Sequence, residues 1–165
     1  MYIINCFFIY SVLGFFLEGT YNLFLLNEFK SGILYGPWTP IYGIGAIIII
    51  EIYKIISTKI NKNKTVKNII FFICTFIILT LIEWLGGILI ENLFHKTLWN
   101  YQNYKFNIGK YITLEISLTW TILSFILIYL IKPIIDKIEK KIPKKLSLLL
   151  IIFMLIDIFV TVFTK

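Results

Sequence analysis

Residues 68–95 read NIIFFICTFIILTLIEWLGGILIENLFH, and no charged side chain occurs before Glu83. A run this apolar on every side has no polar face to turn toward water, so it reads as a helix buried all round. At 1.5 Å per residue it exceeds the ~30 Å hydrocarbon core of a bilayer, which needs about 20 apolar residues to cross. Outward from this segment, the same reading applies at about 2–26, 34–56, 111–132 and 146–163. The expected fold is therefore an all-α membrane protein, a polytopic bundle of five transmembrane helices forming one transmembrane domain over 1–165. Composition agrees: 59% of the 165 residues are hydrophobic and only 15% charged, against about 25% charged in a soluble domain. The first segment is too long for a cleaved signal peptide, and it lacks a basic start and a small-residue cleavage site.

The net charge of +7 comes from Lys alone, with no Arg in the chain. Lysines beside apolar spans follow the positive-inside rule and do not point to nucleic acid. Eleven of them flank the second and fourth connections, at 54, 59, 62, 64, 67, 132, 137, 140, 141, 144 and 145; five lie at 30, 96, 105, 110 and 165. This places the second and fourth connections in the cytoplasm, the N-terminus inside and the C-terminus outside. The fourth, PIIDKIEKKIPKK, carries Ile134, Ile135, Ile138 and Ile142 between charges. That spacing suits a short interfacial helix over about 134–142, or equally a continuation of helix 4 bent at Pro133. Cys6 and Cys74 lie in apolar runs and read as small core residues rather than a disulfide.

Acids inside spans carry the most information. Glu18 falls in helix 1, Glu83 and Glu91 in helix 3, Glu115 in helix 4 and Asp157 in helix 5, while Glu51 stands beside Lys54 at a helix end. Intramembrane carboxylates are costly and face a bundle interior or a wet cavity. Ser11, Gly14, Glu18, Tyr21 and Asn22 share one stripe of helix 1. Glu83 and Gly87 share another on helix 3, with Glu91 about 80° round the wheel and roughly 12 Å further along. On the assigned orientation most of these acids lie toward the outside, which predicts an acidic, aromatic-lined cavity opening there. The competing reading is that protonated carboxyls simply hydrogen-bond helices together.

Two further stretches belong with the acids. In SGILYGPWTPIYGIG (Ser31–Gly45), Pro37 and Pro40 remove backbone donors and four glycines permit unusual dihedrals. A regular start to helix 2 is excluded, and irregular backbone at membrane depth must be buried or reached by water. The segment predicts a broken or re-entrant start of helix 2 that brings Tyr35, Gly36, Pro37, Pro40 and Tyr42 to the cavity; an interfacial loop anchored by Tyr35, Trp38 and Tyr42 is the alternative. The third connection, Leu93–Tyr111, supplies His95, Trp99, Asn107 and Lys110 beside Glu115. Glu91 and His95 at i and i+4 are fewer ligands than a metal centre needs, so neither a metal nor a cofactor is expected.

These residues resemble a family of bacterial membrane proteins described as Putative ABC-transporter type IV, of CmpB type. The family's aromatic-Ser-x-Leu-Gly pattern followed by Leu-Glu stands here as Tyr10-Ser11-Val12-Leu13-Gly14 and Leu17-Glu18. Its Gly-x-Leu-Tyr-Gly-Pro-x-x-Pro-Ile-Tyr-Gly-x-Gly pattern runs unbroken from Gly32 to Gly45. A Glu matches Glu83, and Leu-x-Glu-x-Leu-Phe matches Leu89–Phe94. Trp-Asp-Tyr becomes Trp99-Asn100-Tyr101, Asn-x-x-Gly-Arg becomes, one residue shorter, Asn107-Ile108-Gly109-Lys110, and Leu-x-Trp matches Leu118–Trp120. Asn100 stands where the family has Asp and Lys110 where it has Arg, so a role needing a bidentate guanidinium does not carry over. The resemblance implies a permease-like transport protein of the bacterial cytoplasmic membrane.

Three functions compete at this level. The first is transport of a cation, proton or amine-bearing solute through the acidic cavity, by a homo-oligomer in the bilayer with a separate ATPase as partner. The chain has no G-x-x-x-x-G-K-[ST] phosphate loop, so it does not hydrolyse ATP by that route. The second is a membrane-embedded enzyme acting on lipid or cell-envelope substrates, with Glu91 or Glu18 as base beside His95; no partner nucleophile or metal set is evident, so no catalytic residue is assigned. The third is a non-catalytic assembly subunit whose acids and glycines lock helices together.

Overall fold

The computed structural model describes residues 1–164. Among them are five helices long and apolar enough to cross a membrane: α1 (Tyr2–Leu26), α2 (Pro40–Lys59), α3 (Lys64–Phe94), the continuous run Leu114–Glu139, and α6 (Lys144–Thr164). The run Leu114–Glu139 comprises α4 (Leu114–Ile126), a π-helical turn at Leu127–Ile131 and α5 (Lys132–Glu139). Their outward faces are rows of Leu, Ile and Phe, such as Phe24, Leu130, Phe159 and Phe163, each more than 60% exposed. This is the surface a lipid-facing helix presents. The protein is thus an all-α, multi-pass membrane protein.

Helix boundaries follow local chemistry. The regular part of α2 begins at Pro40 rather than at position 34, because proline is tolerated in the first turn, where its missing N–H costs nothing. Asn63 caps α3 by accepting the Val66 N–H at 3.0 Å, which extends that helix into the Lys-rich connection. The helix ends where His95 turns left-handed at φ 51° and its N–H meets the Glu91 carbonyl. Helix 4 starts at Leu114 because the residues before it form a short hairpin, β1 (Asn107–Ile108) paired antiparallel with β2 (Ile112–Thr113). The chain between α4 and α5 stays helical. The π turn, with Lys132 N–H on the Leu127 carbonyl, falls just before Pro133, a residue that cannot donate to the preceding turn.

The chain divides into two compact units, Met1–Ile47 with Ile134–Lys165, and Ile48–Pro133. In the first, α1 approaches the start of α2 so closely that a Cβ on Gly43 would strike Ser11 Oγ and the Phe7 carbonyl. Such small-residue contact lets helices pack where hydrophobicity gives no drive between them. Thr39 N–H continues this join by donating to the Ser11 carbonyl at 3.0 Å. Phe8, Trp38 and Met154 form the buried apolar centre. At the opposite end of α1, Tyr2 donates to Asp136 (2.7 Å), while Asn5 donates to Glu139 (3.3 Å) and accepts from Ser147.

In the second unit, the buried residues of α3 are Phe71, Thr75, Leu79, Glu83 and Gly87, every fourth position along one stripe. That stripe packs against α4, whose own buried positions are Ser117, Thr121 and Ser124. Thr75 and Thr121 return their hydroxyl protons to carbonyls four residues back, so these two hydroxyls are satisfied within their own helices across a small, polar interface. Phe71, Phe72, Phe125, Tyr53 and Tyr129 close the Lys-rich end with edge-on and stacked ring contacts.

Candidate functional sites

The expected site residues fall into both units. Glu83, Glu91, His95, Trp99, Asn107, Lys110 and Glu115 lie in the unit Ile48–Pro133; Glu18, Tyr21, Tyr35, Gly36, Pro37, Pro40 and Tyr42 lie in the other.

Glu83 is the focus of the first group. It is 7% exposed, and one of its oxygens accepts from Tyr101 Oη at 2.7 Å and from Trp120 Nε1 at 3.3 Å. Its other oxygen, Oε2, is buried with no hydrogen-bond partner among the described residues. One turn along α3, the Tyr111 ring lies directly on Gly87, where any side chain would collide with it. One further turn along, Glu91 accepts from Lys110 Nζ, from Tyr111 Oη and, at 3.4 Å, from Thr97. The hydrogen bond that Lys110 donates to Glu91 holds its ammonium above the ordinary lysine value, with Tyr111 adding to it. Tyr111 therefore stands between the two carboxylates, one on each side along the helix.

The connection that carries these aromatics is folded onto α3 by backbone bonds. Tyr101 N–H donates to the Lys110 carbonyl at 2.8 Å and Leu114 N–H to the Phe106 carbonyl at 3.1 Å. Asn107 spends its side chain on the hairpin, donating to the Gly109 carbonyl at 2.9 Å. Trp99 packs edge-on against Tyr111, with ring centres 6.4 Å apart, and its indole N–H is buried without a partner among the described residues. Glu115 sits in the first turn of α4 and accepts from Thr113, an acid placed at the positive end of the helix dipole. His95 acts as the left-handed cap of α3 and its ring is exposed. No group of three or more His, Cys, Asp and Glu converges among the described residues.

In the other unit, Glu18 accepts from Ser31 Oγ at 3.1 Å, and Ser31 shares a 2.9 Å hydrogen bond with Thr39. The stripe expected on helix 1 is buried at Ser11 and Gly14, where Tyr42 covers the glycine, but Tyr21 is 52% exposed and stands outside it. Glu28 pairs with Lys30 on the connecting loop, and that lysine holds its carboxyl below the ordinary range.

Sequence reasoning left Asp157 out of the site, yet it organises the Gly- and Pro-rich segment. Its two oxygens accept from Tyr35 N–H (2.9 Å), Gly36 N–H (2.8 Å), Trp38 Nε1 (2.8 Å) and Thr161 (3.2 Å). Tyr35 also hydrogen-bonds Thr164 at 3.1 Å. The backbone that Pro37 prevents from becoming helix is thus satisfied by one carboxylate of α6. Helical spacing of Asp157, Thr161 and Thr164 was the visible signal, though it did not name the partner. Trp120, the second donor to Glu83, was legible only as part of a Leu-x-Trp motif.

No curated protein and no solved structure matches the chain. One family does, that described as Putative ABC-transporter type IV, and its match covers residues 5–162. With nearly its whole length covered, the chain belongs to the Putative ABC-transporter type IV family.

Proposed function

We propose that this protein is the permease-like, membrane-spanning component of a transport system in a bacterial cytoplasmic membrane, with its N-terminus inside and C-terminus outside. The solute is a cation, a proton or an amine-bearing molecule, received at Glu83. The buried, unpartnered Oε2 of Glu83 carries this reading. A carboxylate oxygen in an apolar span demands a donor, and Tyr101 and Trp120 fix the other oxygen so that this one is aimed without further reorganisation. Glu91, Lys110 and Tyr111 form the polar lid next along α3, and Trp99 offers a donor beside it. Glu18 with Ser31 and Thr39 makes a second polar station in the other unit. A separate ATPase supplies energy, since no phosphate loop is present in this sequence, and the chain works as a homo-oligomer.

Flux through proteoliposomes of the purified chain tests this, with rubidium, methylammonium and protons as probes, the last read by an entrapped pH dye. Wild-type protein, alone or with a co-purifying ATPase, is expected to pass at least one of them. Glu83→Gln abolishes that flux while leaving detergent-solubilised yield and thermal midpoint intact. Equal flux from wild type and Glu83→Gln would remove Glu83 from the pathway, and no flux above protein-free vesicles would end the transport reading.

A further inference from the structure

The Lys-rich end of the unit Ile48–Pro133 holds a cavity of about 260 Å³ that the transport reading does not use. Its walls come from the last turns of α2, the first turns of α3 and the π turn after α4. Tyr53, Ile56 and Tyr129 give it an apolar lining, and Lys62, Lys64 and Lys67 surround it together with Ser57 and Asn68. No acidic residue lines it. Two of the lysines are turned to the cavity walls, while Lys62 stands exposed at the rim: half-buried Lys67 donates through Nζ to the Ser57 carbonyl at 2.9 Å, and Lys64 Nζ lies 5.7 Å from the centre of the Tyr129 ring. Tyr129 is fixed in turn by its hydroxyl on Asn68, at 2.8 Å, and by Tyr53 and Phe125 against its ring.

This arrangement concentrates positive charge. Lys62, Lys64 and Lys67 are carried by the start of a 31-residue helix and the turn before it, and that helix has no acid in its first turn. A helix start is itself an electropositive end that favours anions and disfavours lysines. Ion pairing in this unit lies elsewhere, at Lys54 with Glu51 and Lys110 with Glu91. Among the described residues no acid pairs with Lys62, Lys64 or Lys67, so their charge favours an anion from outside the chain. A phosphate group accepts from several lysines at once, and the tyrosine and isoleucine lining suits the glycerol and first methylenes attached to it. Spanning helices end here, so the available phosphate belongs to lipid.

We propose that this cavity binds the phosphate of an anionic membrane lipid, with Lys62, Lys64 and Lys67 as its ligands and the Tyr53–Tyr129 pair as its floor. Such a lipid would hold α2 to α3 at the turn between them and neutralise the strongest cluster of like charge in the unit.

The test uses the full chain in detergent, titrated with phosphatidylglycerol and followed by native mass spectrometry and by thermal midpoint, with phosphatidylcholine as the neutral control. Phosphatidylglycerol is expected to bind at one retained site and raise the midpoint; phosphatidylcholine is not. The triple change Lys62→Gln, Lys64→Gln and Lys67→Gln weakens that binding roughly 100-fold, following from about a fivefold loss for each lysine near the surface. Removing the same charge at Lys137, Lys140 and Lys141, none of which lines the cavity, changes it less than about twofold. Equal losses from the two triples would overturn the site in favour of diffuse surface attraction. Inorganic phosphate supplies the other arm: if it saturates the site and displaces the lipid at equal concentration, free phosphate is the ligand and the lipid assignment fails. Lys→Arg changes at the three positions keep charge and retain binding, separating loss of ligand from loss of fold.

Discussion

Asp157 shows how much one carboxylate does in an apolar helix. Its oxygens meet two backbone amides, an indole and a threonine, and only an acceptor at both oxygens satisfies that set. Asp157→Asn keeps the shape but turns one acceptor into a donor facing other donors. It is expected to cost about 2 kcal/mol, the usual consequence of leaving buried polar groups unmatched, and to appear as a lower thermal midpoint in detergent. An unchanged midpoint would show that the clamp is not structural. Lys110 behaves differently because it is only partly covered. Its raised value means that the pairing contributes at neutral pH and below the ordinary lysine value, and is lost only as pH climbs above about 10.4. Tyr111 fluorescence or hydrogen exchange across Asn107–Thr113 should therefore stay constant from pH 6 to about 9 and loosen in strong alkali. Lys110→Gln should loosen it already at neutral pH, whereas Lys110→Arg should not, since a guanidinium still donates to Glu91.

Among the elements, α3 is the one whose one-sided packing fixes the site. Its buried stripe at every fourth residue sets Glu83 and Gly87 on a single line against α4 and the Tyr111 ring. Gly87→Val puts a branched side chain where that ring lies. Overpacking of this kind costs about 1–3 kcal/mol, and it should lift Tyr111 and the hairpin off α3, lowering the midpoint and reducing flux together. Retained flux at a normal midpoint would show that the hairpin is dispensable. Much of α3 was legible in advance, because a long charge-free run admits few readings and a 3.6-residue wheel places Glu83 with Gly87. The hairpin was not legible: two-residue strands are too short to show alternation, and their register rests on Phe106, Lys110 and their partners in space. The partners of Glu83 and Asp157 were hidden for the same reason, since hydrogen bonds across 18, 37 and 119 to 122 positions leave no mark in local pattern. The uneven start of α2 was visible in Pro37 and Pro40, but what satisfied its backbone was not.

For the molecule as a whole, the lysine distribution predicts sidedness. Single cysteines placed at Lys62 and Lys140, in a background lacking Cys6 and Cys74, should react with a membrane-impermeant maleimide only after the cells are opened, while one at Gln102 should react in intact cells. The reverse pattern would invert the protein and put Glu91 and Lys110 on the cytoplasmic side. One architectural feature also bears on how the protein is made. The unit that holds Glu18 is assembled from the first 47 residues and from residues beyond 133, and the amides of Tyr35 and Gly36 are met by Asp157, near the far end of the chain. A ribosome delivers these pieces in order, so Ser31–Trp38 must wait for α6 with its backbone donors open. A chain ended after Pro143 should reach the membrane with that segment cut readily by protease, and co-expressing α6 as a separate peptide should restore its resistance. Until α6 arrives, the nascent protein carries an exposed, unsatisfied segment that a membrane quality-control protease can read.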